Sequence, residues 1–226
     1  MSHSAARRDL QEVTIKQIWG YLLSEDDPVI ELRGLHPLSK TTQLRHLRRS
    51  DHPDPTAYKA VVEQQALELN DQGYNVYTTI NPIRSDFVGK AACDQDIQCR
   101  RLLLIDIDRS KPTRQPASEN EIKLAKKLAE EVIAFLEHYN PTQPIRLMSG
   151  NGVHLYYGLD HVENSVEVSS HIKTILVQLA HRFNNTEAKI DTVVYNPARI
   201  TKVPGTVMRK GEETAERPFR IAELFR

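Results

Sequence analysis

Arg101-Leu-Leu-Leu-Ile-Asp-Ile-Asp108 is the stretch around which the chain is organised. Four consecutive apolar residues, Leu102 to Ile105, predict a buried strand. Successive strand residues point to opposite faces, so Asp106 and Asp108 project together while Ile107 turns back into the core. Two carboxylates side by side at the end of a buried strand repel each other. They are tolerable with a positive charge between them, most simply a hard divalent cation. The plainer alternative is a strand that ends there with both acids in water.

Downstream, Ser118 and Glu121 have capping-box spacing. The helix that follows runs to about Tyr139, with Ile122, Ala125, Ala129, Val132 and Leu136 facing inward, and Asn140-Pro141 stops it. Residues 144–149 predict a short strand, Gly150-Asn-Gly152 a tight hairpin turn, and 153–158 the returning strand. A helix over roughly 164–183 buries Val168, Ile172, Ile175, Leu176, Leu179 and Phe183. Two short strands follow, at 190–194 and 199–203, before Pro204-Gly205-Thr206 turns the chain. The order strand, helix, strand, strand, helix, strand is the ferredoxin-like split unit, an antiparallel sheet with helices on one face.

Upstream, residues 1–10 are polar and expected to fray. Val13, Ile15, Ile18, Trp19, Leu22 and Leu23 predict a helix over 12–23. Residues 29–35 alternate as a strand on which Glu31 and Arg33 point together, the bare pattern of a surface ion pair. Residues 36–55 hold Arg45, Arg48 and Arg49 and predict an irregular segment, either a solvated basic patch or a contact to a phosphate backbone. Residues 56–72 predict a helix and 74–80 a strand; 83–100 form a polar connection and 111–116 a loop. The expected fold class is α+β, within one domain. A ferredoxin/RRM-like antiparallel core over 96–226, with a C-terminal extension, packs against a smaller N-terminal α/β module over 1–95.

The chain of 226 residues can bury a full core. Its 30 basic and 30 acidic residues cancel, so whole-chain charge is no argument for nucleic acid and local patterning must carry it. Cys93 and Cys99 fit no zinc pattern and no disulfide framework. With no signal peptide and no apolar run that spans a bilayer, the expectation is a soluble, cytoplasmic protein with no membrane partner.

Two further motifs carry chemistry. In Ser149-Gly-Asn-Gly-Val-His154 the glycines let backbone amides approach an anion, Ser149 adds a hydroxyl and His154 a ring donor. An ordinary Asn-Gly hairpin is the alternative. Farther on, Asp191 follows Ile190 on a strand expected beside the first, and Arg199, Lys202, Arg209 and Lys210 come with no intervening acid. Acids near bases suit a nucleoside triphosphate: carboxylates hold Mg²⁺ or Mn²⁺ and cations hold phosphate oxygens.

Together, Asp106-x-Asp108, Ser149-Gly-Asn-Gly-x-His154, Asp191 and the Asn196-Pro-Ala-Arg-Ile-x-Lys-x-Pro-Gly-Thr206 run resemble the three catalytic motifs of the archaeo-eukaryotic primase superfamily. The pattern is most like the prim-pol domains of phages, plasmids and other mobile elements. It covers 95–210 well, and Glu216-Arg-Pro-Phe-Arg220 looks like a further family feature. Over 29–84, including Glu31-Leu-Arg33 and Thr79-Ile-Asn-Pro82, the resemblance is looser.

The resemblance implies metal ligation by Asp106, Asp108 and Asp191 in a two-metal Mg²⁺ or Mn²⁺ site, without zinc. It implies nucleotide binding by Ser149, Gly150, Asn151, Gly152 and His154, with Arg199 and Lys202 as helpers. Many relatives carry Glu where this chain has Asp108, one methylene shorter. The implied activity is template-directed transfer of nucleotides from (d)NTPs to a primer 3′-hydroxyl, with de novo primer synthesis as an extension of it. The implied partners are single-stranded or primed DNA and a helicase or accessory priming domain, so the chain is expected to be a catalytic module or a fragment. Two other classes stand beside this one. A relaxase-like replication-initiator endonuclease would use Tyr156 or Tyr157 beside His154, and a catalytically silent module would only bind nucleotide or DNA.

Overall fold

The computed structural model describes residues 3–111 and 113–226. Met1 and Ser2, within the stretch expected to fray, and Pro112, within the expected 111–116 loop, lie outside the described residues.

The chain builds two sheets. The first has the order β2-β1-β3-β8, from β1 (Val29–Leu35), β2 (Thr42–Arg48), β3 (Asn75–Thr79) and β8 (Ile200–Lys202). The second has the order β11-β5-β6-β4-β7. Its strands are β4 (Cys99–Arg109), β5 (Ile145–Met148), β6 (Val153–Glu163), β7 (Ala188–Ile190) and β11 (Glu223–Leu224). All named pairings are antiparallel. A separate small ladder joins β9 (Val207–Met208) to β10 (Arg220–Ile221). The α+β class and the split ferredoxin-like core are therefore as the sequence predicts. Four successive strands of the core stand side by side in the order β5-β6-β4-β7.

Helices α3 (Glu119–Leu136) and α4 (Val166–Phe183) pack on one face of the second sheet. They bury Leu103, Ile105 and Ile107 with Ile122, Ala125, Ala129 and Val132. By the pleat, the other face of β4 carries Asp106 and Asp108. The capping box at the start of α3 forms as its spacing predicts, Ser118 accepting from the Glu121 N–H and Glu121 from the Ser118 N–H. α2 (Pro55–Asp71) packs against the first sheet and begins on Asp54, whose carboxylate accepts from the Thr56 and Ala57 amides. Among the described residues no helix is long and apolar enough to cross a membrane.

Five local expectations are corrected. The first helix, α1, runs over His3–Ile15 and gives way to a tight 3-10 turn at Lys16–Ile18, rather than occupying 12–23. Gly20, at φ +88°, reverses the chain, so Ile18, Leu22 and Leu23 are buried by a turn and not by one helical stripe. Within the stretch expected to fray, Arg8 instead bridges to Asp71 on α2, and just beyond it Gln11 Nε2 donates to Asn70 Oδ1 at 3.1 Å.

Residues 42–48, expected to be irregular, pair along the whole of β1, from Val29 opposite Arg48 to Leu35 opposite Thr42. Glu31 and Arg33 are not a surface pair. Glu31 is fully buried; its Oε1 accepts from Arg33 Nε at 2.9 Å, and its Oε2 accepts from the Ala92 amide at 2.7 Å with His46 Nε2 3.0 Å away. A carboxylate can be enclosed this way because its lone pairs are met by donors. Finally, the strand predicted at 190–194 ends at Ile190, and β8 leaves the core to pair with β3, Tyr77 opposite Lys202.

Candidate active site

β4 and its two neighbours assemble the site. Asp106 stands opposite His154 on β6. On the other side the Asp191 N–H donates to the Asp106 carbonyl at 2.8 Å, one residue beyond the pairing of Ile107 with Ile190. Residues paired across a ladder share a face, so Asp106, Asp108, His154 and Asp191 are gathered on the face away from α3 and α4. A cavity of about 440 Å³ opens beside them, lined in part by Asp108, Asn151, Asn184, Lys189, Asp191 and Lys210.

The acids are held at an electrostatic cost. Burial pushes the Asp106 carboxyl up to about 7; the charge of Asp191 adds to this, and Arg199 and Lys210 oppose it. Burial and then Asp106 push Asp108 up to about 6, against the pull of His154 and Lys210. Burial takes His154 down to about 4, so its ring is neutral near pH 7. Tyr77 is pushed up to about 12 by burial and by the fields of Asp106 and Asp108, which brings its hydroxyl into the same neighbourhood.

Asp106 Oδ1 is buried with no hydrogen-bond partner, and His154 Nε2 lies 3.5 Å from it. A buried carboxylate oxygen without a donor, next to two more acids, is the donor set of a hard divalent cation such as Mg²⁺ or Mn²⁺. As the side chains stand, no three acids, histidines or cysteines among the described residues converge closely enough to cage an ion. The chemistry of the set fits such an ion; a closed coordination shell is not preformed.

The hairpin tip packs against this group. The Ser149 N–H donates to the Gly152 carbonyl at 2.9 Å, and Gly150 has φ +103°, a value few side chains allow. The Gly150 amide turns to Met148 Sδ and the Gly152 amide to Ser149 Oγ. A Cβ on Gly150 would overlap Met208, and one on Gly152 would overlap Asp108 Oδ1 and the Ile107 carbonyl. Close packing of the tip against β4 and β9 thus requires both glycines. Asn151 Oδ1 accepts from the Ala117 amide at 2.8 Å, while its Nδ2 is buried, unpaired and on a residue that lines the cavity.

The basic residues divide. Arg199 donates to the Val193 carbonyl at 2.7 Å and lies within the field of Asp106. Lys202 is 1% exposed, and its Nζ donates to Thr206 Oγ1 at 2.6 Å and to the Val207 carbonyl at 3.3 Å. Burial lowers its ammonium well below the usual range, with Arg209 adding to the effect. Lys210, by contrast, lines the cavity and acts on both Asp106 and Asp108. Sequence reasoning missed Lys189, Asn184, Tyr77 and Thr201. Lys189 stands opposite Asp108, a relation legible only once the β4–β7 register is known. Arg217 and Arg220, in the further family-like segment, brace the start of α3 by donating to Glu121 and to the Ala117 carbonyl.

Two antiparallel sheets, with a split ferredoxin-like core that carries acids on the face away from its helices, form a fold shared with solved primase and polymerase domains. No protein-family model and no curated protein matches the sequence. Among solved structures the chain is similar to primase RepB′, with a TM-score of 0.51 and 10% identity over 96% of this chain and 56% of that one. It is also similar to the polymerase domain of Mycobacterium tuberculosis Ligase D in complex with DNA, with a TM-score of 0.53 and 13% identity over 96% of this chain and 80% of that one. The chain therefore spans little more than half the length of the RepB′ primase.

Proposed function

We propose that this chain is a DNA primase–polymerase module that transfers nucleotides from (d)NTPs to a primer 3′-hydroxyl under the direction of a DNA template. The observation that carries the reading is the gathering of Asp106, Asp108 and Asp191 on one sheet face, opposite His154 and beside a cavity edged by lysines. Asp106, Asp108 and Asp191 would hold Mg²⁺ or Mn²⁺, which when bound supplies the positive charge that steadies attacking and leaving oxygens at phosphorus.

The chain's own groups account for the rest. Asn151 and His154 would offer donors to a triphosphate, Ser149 would do so by releasing its bond to the Gly152 carbonyl, and Gly150 and Gly152 let the loop sit close. Lys210 and Lys189 place positive charge where pyrophosphate oxygens would lie, and Arg199 completes the set from the side of Asp106. Lys202 serves nucleotide binding from behind, by fixing the Thr206–Val207 turn that leads to Lys210. Primed or single-stranded DNA is the partner, a helicase or accessory domain would supply priming functions, and replication of a mobile element is the setting. Tyrosine-nucleophile chemistry finds little support: Tyr156 and Tyr157 are buried, and burial raises both hydroxyls, Tyr157 to about 12 and Tyr156 well above its usual value.

Incubation with a primed template, Mg²⁺ or Mn²⁺ and each nucleotide type tests the proposal. Extension that disappears in Asp106→Ala supports it; no extension with any metal or sugar overturns it.

A further inference from the structure

Behind His154 lies a closed triangle of polar atoms. His154 Nδ1 is 3.0 Å from Thr201 Oγ1 and 3.1 Å from the Tyr156 hydroxyl, and the two hydroxyl oxygens are 2.6 Å apart. Tyr156 and Thr201 are each 1% exposed and His154 is 8% exposed. Among the described residues neither hydroxyl has a hydrogen-bond partner outside the triangle.

The positions of the protons follow from counting. Each hydroxyl brings one proton and can also accept. If Nδ1 is bare, the Tyr156 hydroxyl donates to Thr201 Oγ1, the Thr201 hydroxyl donates to Nδ1, and every group is satisfied. If Nδ1 carries a proton, in the other tautomer or in the charged ring, it has no lone pair to offer. One hydroxyl proton is then buried without an acceptor, which costs about 1–3 kcal/mol as a buried unpaired donor. We infer that Thr201 and Tyr156 are positioning residues that hold His154 as the Nε2–H tautomer, so that the ring presents a donor to the cleft beside Asp106.

The arrangement joins the two sheets. His154 and Tyr156 lie on β6 of the core, whereas Thr201 lies on β8 of the other sheet. One of the two hydroxyls that hold the tautomer is therefore in place only when the sheets are docked; the other comes from the strand of His154 itself. Its consequence for activity rests on the function proposed above: an Nε2–H donor suits a phosphate oxygen, whereas a bare Nε2 would repel one. The tautomer itself does not depend on that function.

The test is the imidazole ¹⁵N spectrum of the metal-free, nucleotide-free protein, with the His154 signals assigned by their loss in His154→Gln. The expected signature is a protonated Nε2 and a bare Nδ1. Either hydroxyl can reach Nδ1, so Thr201→Val and Tyr156→Phe should each leave that signature largely intact. The double variant should lose it and show exchange between tautomers. Thr201→Ser in the Tyr156→Phe background should restore it. In primer extension the double variant should raise the nucleotide KM about tenfold with a smaller change in kcat, the scale of one lost hydrogen bond.

A protonated Nδ1 in the wild type overturns the inference, as does an unchanged signature in a folded double variant. If the double variant does not fold, the wild-type spectrum decides alone. If the tautomer is as stated but no condition gives extension, the proposed function fails and this inference stands.

Discussion

Asp106 and His154 face each other across the β4–β6 ladder, with His154 Nε2 3.5 Å from Asp106 Oδ1. The contact is too long to satisfy a buried carboxylate oxygen, and that oxygen has no other partner. The fold thus keeps an acid short of a donor at the point where β6 brings a neutral ring and the residue just past β7 brings Asp191. An arrangement that lowers stability when empty is useful if a charged ligand completes it.

Divalent metal is therefore expected to stabilise the protein. Mn²⁺ should raise the wild-type Tm at pH 8 by on the order of 3 °C or more, a shift worth about 1 kcal/mol in a chain of this size. Asp106→Asn should raise the metal-free Tm, because the fold disfavours the charge there, and should abolish the response to Mn²⁺ and primer extension together. An unchanged metal response in Asp106→Asn, read by thermal unfolding, would remove Asp106 from the site.

Gly152→Ala probes the packing of Asp108. The position has no positive φ, so alanine suits the backbone, but its Cβ would collide with Asp108 Oδ1 and the Ile107 carbonyl. Overpacking of this kind costs about 1–3 kcal/mol. The variant should fold with a lowered Tm and lose most extension activity through displacement of Asp108. Near-normal kcat in Gly152→Ala, measured at saturating nucleotide, would show that the position of Asp108 does not matter.

Nucleotide and template contacts should separate by kinetics. His154→Ala should raise the nucleotide KM by roughly 10- to 100-fold, as expected for loss of a hydrogen bond to a charged group, and should barely change binding to primed DNA. Arg199→Ala discriminates two roles: a KM effect places Arg199 on a phosphate of the nucleotide, and a salt-sensitive loss of DNA binding places it on the template backbone. If His154→Ala leaves KM unchanged, the hairpin is only a turn.

Glu121 gives a pH prediction away from the metal ligands. Burial alone would raise its carboxyl. Hydrogen bonds from Arg217 and Ser118, the charge of Arg109 and a further bond from Arg109 outweigh it and hold the group down to about 2. A depressed folded value means that the stabilisation is present above the unfolded value, about 4.3, and is lost as pH falls toward 2. Glu121→Gln should cost on the order of 1–3 kcal/mol near pH 7, several degrees of Tm. The gap from wild type should close below about pH 3. A gap independent of pH would mean that shape, not charge, holds the C-terminal segment.

Several features were legible in the sequence because they are periodic or local. The apolar run into Asp106 and Asp108, the Ser118–Glu121 cap and the Gly150–Gly152 turn each depend on neighbours within a few residues. β2 was not legible, because a half-exposed edge strand with charged and polar positions has no alternation to read. α1 was missed because Gln11 and Arg8 dock it by hydrogen bonds to Asn70 and Asp71, which hydrophobic spacing does not register.

By itself the sequence determined the class of fold and which side chains share a face of β4, because pleat and helix period are fixed by the backbone. Only the tertiary structure decided the register between neighbouring strands and which strands left the core for the other sheet. It set Asp191 beside Asp106, brought Lys189 opposite Asp108, and buried Glu31 among donors from Arg33 and Ala92. It also carried Thr201 out of the core's sequence order into the other sheet, where its hydroxyl reaches His154. These relations depend on register and on the docking of sheets, which arise from burial summed over the whole molecule. No local stretch of sequence encodes that sum.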